Sequence, residues 1–122
     1  MKFPKTKDDN NHIEIRVRLG CEKFYFGPGA AKLLELIEKG ESVREACSLM
    51  NMSYSKGWKI LKNIKEETGF DAVIRHQGGV NGGKTELSEK GKALLDSFRK
   101  VEIEIKDFAK NRFEYYLEEK HD

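Results

Sequence analysis

Cysteine is nearly absent from this 122-residue chain. Cys21 and Cys47 stand far apart and in no C-x-x-C spacing, which argues against both a disulfide framework and a cysteine-based zinc site. Cys47 sits beside Ala46 in a helical pattern and reads as a small core residue. His12 and His121 are remote from each other and add no metal-like cluster. Long apolar runs are missing too: none exceeds four residues, far short of the roughly 20 that cross a bilayer. Met1 to His12 lacks the apolar stretch of a secretory signal. A reducing cytoplasm is therefore the expected compartment, with no membrane, metal or cofactor. Nor is there a large charge of one sign, since the formal net charge is only +2. That value alone does not mark a nucleic-acid binder.

What the chain does have is charge, unevenly spread. Charged residues make up 36% and hydrophobic residues 38%, a balance that suits long solvated helices. Residues 1–100 hold 19 basic and 14 acidic side chains, a net of +5, whereas residues 101–122 hold 4 and 7, a net of −3. An acidic tail thus masks a basic body. The length suits one small domain plus an extension.

Residues 1–12 read as a loosely held arm. Ile13 to Leu19 alternates apolar and charged residues, the period of a half-buried strand. Gly20-Cys21-Glu22 makes a turn, and Lys23 to Phe26 supplies a return strand. Pro28 suits a helix start. Ala30, Leu33, Leu34 and Ile37 fall at helical spacing before Lys39-Gly40 closes that helix. Ser42 and Glu45 form a capping box for a helix from Val43 to about Met50. Asn51 stands where a left-handed residue is needed. Ser53 caps the next helix, which runs to about Thr68 and stops at Gly69. Two short helices joined by a tight turn make a helix-turn-helix candidate.

Gly78 to Thr85, Gly-Gly-Val-Asn-Gly-Gly-Lys-Thr, matches the phosphate-binding loop pattern G-x-x-x-x-G-K-S/T. Such a loop must open a helix, whose N-terminal amides hold the phosphates. Here Lys84-Thr85-Glu86-Leu87 alternates polar and apolar, which is a strand period. The next helix start is Ser88. The glycines therefore read as the tip of a hairpin spanning Ala72 to Leu87, and the chain is expected not to be an enzyme.

On a helical wheel for residues 53–68, Gly57, Leu61, Ile64 and Thr68 share one side, flanked by Trp58 and Ile60. Ser55, Lys59, Lys62 and Asn63 share the other, with Lys56 beside them. An apolar side for packing and a basic N-terminal half suit the major groove, where the first residues of a recognition helix meet base edges and lysines reach phosphates. The candidate DNA-binding residues are Ser53, Tyr54, Ser55, Lys56, Lys59, Lys62, Asn63, Arg75, Gly79 and Lys84. Each has a plainer alternative. The lysines also fit a solvated face, Tyr54 and Trp58 fit the core, and Arg75 fits an ion pair with Glu86. From Glu89 to about Glu119 the chain reads as one helix. Leu94, Phe98, Val101, Ile105, Phe108 and Tyr115 lie at spacings of 4, 3, 4, 3 and 7, a heptad seam that pairs with another helix.

Several of these stretches together resemble the N-terminal domain of the ModE family. They are Gly29 to Lys39, Ser53-Tyr54-Ser55-Lys56-Gly57-Trp58, Arg75-His-Gln-Gly-Gly-Val-Asn-Gly-Gly, and Leu87-Ser88-Glu89-Lys90-Gly91. ModE proteins are molybdate-responsive transcriptional regulators of bacteria and archaea, related in this domain to LysR-type regulators. The likeness covers about residues 13–100. It implies a winged-helix fold, and with the reading of the residues above the expected fold is mainly α with a small β component: a winged helix-turn-helix at 13–88, then a long C-terminal dimerisation helix at 89–122. It also implies homodimeric binding of double-stranded DNA through Ser53 to Lys59, Arg75 and Gly78 to Lys84. The family's molybdate-binding domains have no counterpart after the long helix, so no molybdate site is expected. Gly57 replaces an alanine usual in the family, a change expected to loosen the two helices of the helix-turn-helix. The remaining alternatives are a winged-helix protein-interaction module and, on the Gly78–Thr85 pattern, a nucleotide-binding protein.

Overall fold

A computed structural model describes residues 12–76 and 84–119. Two short strands come first, β1 (Leu19–Gly20) and β2 (Phe24–Phe26). Three helices follow: α1 (Pro28–Glu38), α2 (Val43–Leu49) and α3 (Tyr54–Thr68). A second strand pair, β3 (Val73–His76) and β4 (Lys84–Leu87), leads into α4 (Glu89–Glu119). The fold is mainly α, with two separate two-stranded antiparallel sheets.

Local chemistry sets most of the boundaries. Pro28 opens α1, where its missing N–H costs nothing and its fixed φ already suits a helix. Gly40 follows at φ +109°, a left-handed conformation that glycine adopts without strain. The Ser42 Oγ accepts from the Glu45 N–H at 3.0 Å, capping α2, and donates to the Glu45 carboxylate at 3.2 Å, so that Glu45 meets the Ser42 hydroxyl rather than the backbone N–H of the expected capping box. Asn51 sits at φ +56° in the turn between α2 and α3. The Ser53 Oγ accepts from the Lys56 N–H at 3.1 Å, and Gly69 at φ +84° ends α3.

Helix α1 lies at the centre, touching α2, α3, α4, β2 and β4. Its Ala31, Leu33, Leu34 and Ile37 meet Val43, Ala46 and Cys47 from α2, and Leu61 and Ile64 from α3, in one buried cluster. Leu95 and Phe98 of α4 belong to the same cluster, and Phe98 meets Phe26 edge-on with ring centres 5.0 Å apart. The core therefore crosses the expected boundary at residues 88/89. Glu102 is buried one turn further along, where Arg99 Nη1 reaches its carboxylate at 2.9 Å and Nη2 reaches Glu35 of α1 at 3.1 Å.

Two expectations are corrected. The strand expected over Ile13–Leu19 forms a ladder only at Leu19–Gly20, paired with Phe26 and Phe24 across a bulge. Residues 13–18 keep the alternation, with Ile13, Ile15 and Val17 half-buried between exposed charged neighbours. The short β2 offers them no continued partner. Gly57 does not loosen α2 against α3 either: a Cβ there would collide with Cys47 Sγ. The missing side chain lets the two helices approach closely.

Candidate nucleic-acid interface

Helix α3 divides into two faces. Gly57, Leu61 and Ile64 are buried, while Ser55, Lys56, Lys59 and Lys62 are exposed and Asn63 is half-buried. Ser53, Ser55, Lys56, Lys59, Ile60 and Asn63 line a shallow concavity of about 530 Å³. A neighbouring one of about 510 Å³ shares Ser55, Lys59 and Asn63 and adds Lys23, Trp58, Lys62 and Glu66. Among the described residues, Lys56, Lys59 and Lys62 form no ion pair. Lys65, the fourth lysine of the series, is held by Asp71 at 3.0 Å. Three exposed ammonium groups thus lie along one face of α3, beside hydroxyl and amide groups able to donate or accept, with Glu66 near the last of them.

The other expected residues fall into distinct places. Ser53 is committed to the helix cap and shares a 3.3 Å hydrogen bond with the Ser55 hydroxyl. Tyr54 is half-buried, with the Arg44 guanidinium 4.2 Å above its ring. Lys84 is exposed at the start of β4. Gly79 lies outside the described residues. On α4, Phe98 is taken up by the chain's own core, and Leu94 packs partly against it. Val101, Ile105, Phe108 and Tyr115 remain exposed, Phe108 by 67%. The reason is rotational. Gly91, Leu95, Phe98 and Glu102 make the inward line at spacings of 4, 3 and 4, and Phe98 alone belongs to both lines.

Strand register settles Arg75. Arg75 pairs with Thr85 and Val73 with Leu87, whereas Ile74 pairs with Glu86 and His76 with Lys84. Alternation puts Arg75 on the face of buried Leu87, and Glu86 on the opposite face with His76. An Arg75–Glu86 ion pair is therefore not formed. Glu86 takes His76 instead, at 3.0 Å between Oε1 and Nε2, and this bond draws the Glu86 carboxyl below its ordinary pKa. Arg75 lies over the Trp58 ring, 4.9 Å from its centre. Lys23 and Arg44 were not singled out in the sequence: both belong to other elements, and no periodicity in the sequence points to their meeting with α3.

Lys84 and Thr85 lie within β4, paired to β3, and the following helix opens at Glu89. They do not open a helix, as a phosphate-binding loop requires. Among the described residues no His, Cys, Asp and Glu cluster is placed to hold a metal ion, and no helix is long and apolar enough to cross a membrane.

Comparison with characterised proteins finds similarity to two proteins named ModE. The molybdenum transport protein ModE of Azotobacter vinelandii is 32% identical over 73 residues, 60% of this chain. The chain is similar to ModE. The transcriptional regulator ModE of Haemophilus influenzae is 26% identical over 93 residues, 76% of this chain. The matched regions make up 27% and 36% of those two ModE proteins, so the chain spans about a third of their length. No family model matches the chain.

Proposed function

We propose that this chain is the DNA-binding part of a transcriptional regulator. In this reading α1, α2, α3, β3 and β4 make a winged helix-turn-helix. Helix α3 enters the major groove, where Ser55 and Asn63 meet base edges and Lys56, Lys59 and Lys62 hold phosphates. The hairpin lies against the neighbouring backbone, with Lys84 as its phosphate contact. The exposed line Val101–Ile105–Phe108–Tyr115 on α4 pairs two copies. A two-fold dimer places its two recognition helices about one helical turn apart, or a multiple of that, on a pseudo-palindromic site.

The single observation that carries the reading is the row Lys56–Lys59–Lys62. It is exposed and unpaired among the described residues, on a helix whose other face is locked into the core. Among the i±4 neighbours of the row, only Lys62 has an acid, Glu66; Lys56 and Lys59 have none. The name of the Haemophilus influenzae relative, a transcriptional regulator, points the same way.

Selection of bound sequences from a random duplex pool, with sizing of the complex, tests the reading. The expected product is an enriched, two-fold-related motif bound by two chains. A pool that emerges without enrichment or retention counts against it.

A further inference from the structure

The ring contacts on α3 join end to end. Arg44 of α2 lies over Tyr54 at 4.2 Å. Tyr54 meets Trp58 one helical turn later, edge-on, with ring centres 6.2 Å apart. Trp58 carries Arg75 of β3 at 4.9 Å. The two rings are half-buried and the two guanidiniums exposed. We propose that Arg44, Tyr54, Trp58 and Arg75 form one continuous row of cation–π and edge-on ring contacts that locks the β3–β4 hairpin to α3. Arg75 is then a positioning residue acting through Trp58, not a phosphate contact. This inference rests on the DNA-binding reading for its purpose, though not for its geometry.

Three features support it. Register places Arg75 on the inner face of the hairpin, towards α3, whereas Lys84 and Glu86 share the outer face. Glu86, next to Arg75's cross-strand partner Thr85, is engaged by His76, and Asp71, four residues before Arg75, by Lys65. A planar guanidinium stacks on an indole in a way the compact lysine ammonium does not reproduce. The hairpin's four-pair ladder is short, and such a pair has little independent stability. A lateral anchor on α3 fixes where the hairpin points.

The test uses the full chain with Arg75→Gln, Arg75→Lys and Trp58→Leu, and a labelled mixed-sequence duplex as probe. Trp58 is the one tryptophan of the chain, so its emission reports on the stack in free protein. Arg75→Gln should shift that emission; an unchanged spectrum overturns the proposal. Arg75→Gln and Trp58→Leu should each weaken DNA binding roughly two- to five-fold, the range expected of one exposed cation–π contact. The double variant should be no weaker than the worse single one. The slope of log affinity against log salt should stay at the wild-type value in every variant. A slope about 0.9 shallower per bound chain in Arg75→Gln, restored in Arg75→Lys, identifies a phosphate contact and overturns the positioning role. If the wild-type chain binds no duplex, the functional reading fails instead. The stack is then decided by the emission spectrum and by whether the two substitutions lower thermal stability non-additively.

Discussion

Replacing Gly91 by alanine should destabilise the protein, although alanine favours a helix. Gly91 lies in the first turn of α4, facing the backbone of Ala72. A Cβ there would collide with the Ala72 carbonyl oxygen and stand 3.0 Å from its carbonyl carbon. That oxygen accepts from the Ser88 N–H at 2.9 Å, while the Ser88 hydroxyl donates to the Asp71 carbonyl at 2.6 Å and accepts from the Gly91 N–H at 2.9 Å. The helix start is thus pinned to Asp71–Ala72, and backbone, unlike a side-chain tip, cannot rotate away. Alanine gains about 0.5–1 kcal/mol over glycine in a helix. Overpacking costs about 1–3 kcal/mol, and displacing the Ala72 carbonyl adds about 1 kcal/mol for a weakened hydrogen bond. The balance is a loss of roughly 1–3 kcal/mol, or about 4–15 °C in Tm for a domain of this size. Gly29, in the first turn of α1, has nothing within 4 Å of an added Cβ. Gly29→Ala should raise Tm by a few degrees. Thermal unfolding followed by circular dichroism reads both. A Gly91→Ala chain that melts at or above wild type refutes the close-approach argument.

Gly57→Ala should cost about 1 kcal/mol through its collision with Cys47 Sγ, and adding Cys47→Ala should raise the melting temperature above that of Gly57→Ala alone. The Glu35 carboxyl has burial pushing its pKa up, but Arg99 and Lys32 outweigh this and hold it below 4.5. A lowered folded-state value means that its contribution is complete above about pH 4.5 and is lost as pH falls through that lower value. Glu35→Gln should therefore flatten the acid limb of thermal stability, and an acid limb as steep as wild type excludes a role for this carboxylate. Phe108→Glu, on the exposed side of α4, should convert the proposed dimer to a monomer in sedimentation with helicity unchanged; a wild-type chain that sediments as a monomer refutes the pairing, and a variant dimer that persists places the contact elsewhere.

Helix boundaries were legible because they rest on chemistry within a few residues. Ser42 with Glu45, Ser53 at the next cap, Asn51, and Gly69 each act locally, and the structure places each as its residue type requires. The two faces of α3 were legible for the same reason, since a period of 3.6 shows in the sequence itself. What failed to show depended on partners distant in sequence. Ile13–Leu19 has the strand alternation, but strand length is set by the partner, and β2 is three residues long. Phe98 fits the exposed seam and the core line equally by spacing; only docking of α4 on α1 assigns it. The pairing of Arg75 needed the hairpin register, which fixes the faces of Arg75 and Glu86. Lys23 and Arg44 needed the packing of β2 and α2 beside α3.

The salt dependence of duplex binding tests the central claim most directly. Wild-type chain and a Lys56→Ala/Lys59→Ala/Lys62→Ala variant would be titrated with the same labelled duplex across a salt series. The variant should fold as wild type does, because all three side chains are exposed. Wild-type affinity should fall steeply with salt, and the variant's log–log slope should be shallower by about 2.7 for each bound chain, three lost phosphate contacts at about 0.9 each, or about 5.4 for a bound dimer. A wild-type chain that ignores DNA, or a variant with an unchanged slope, contradicts the assignment of α3 as the DNA-reading helix.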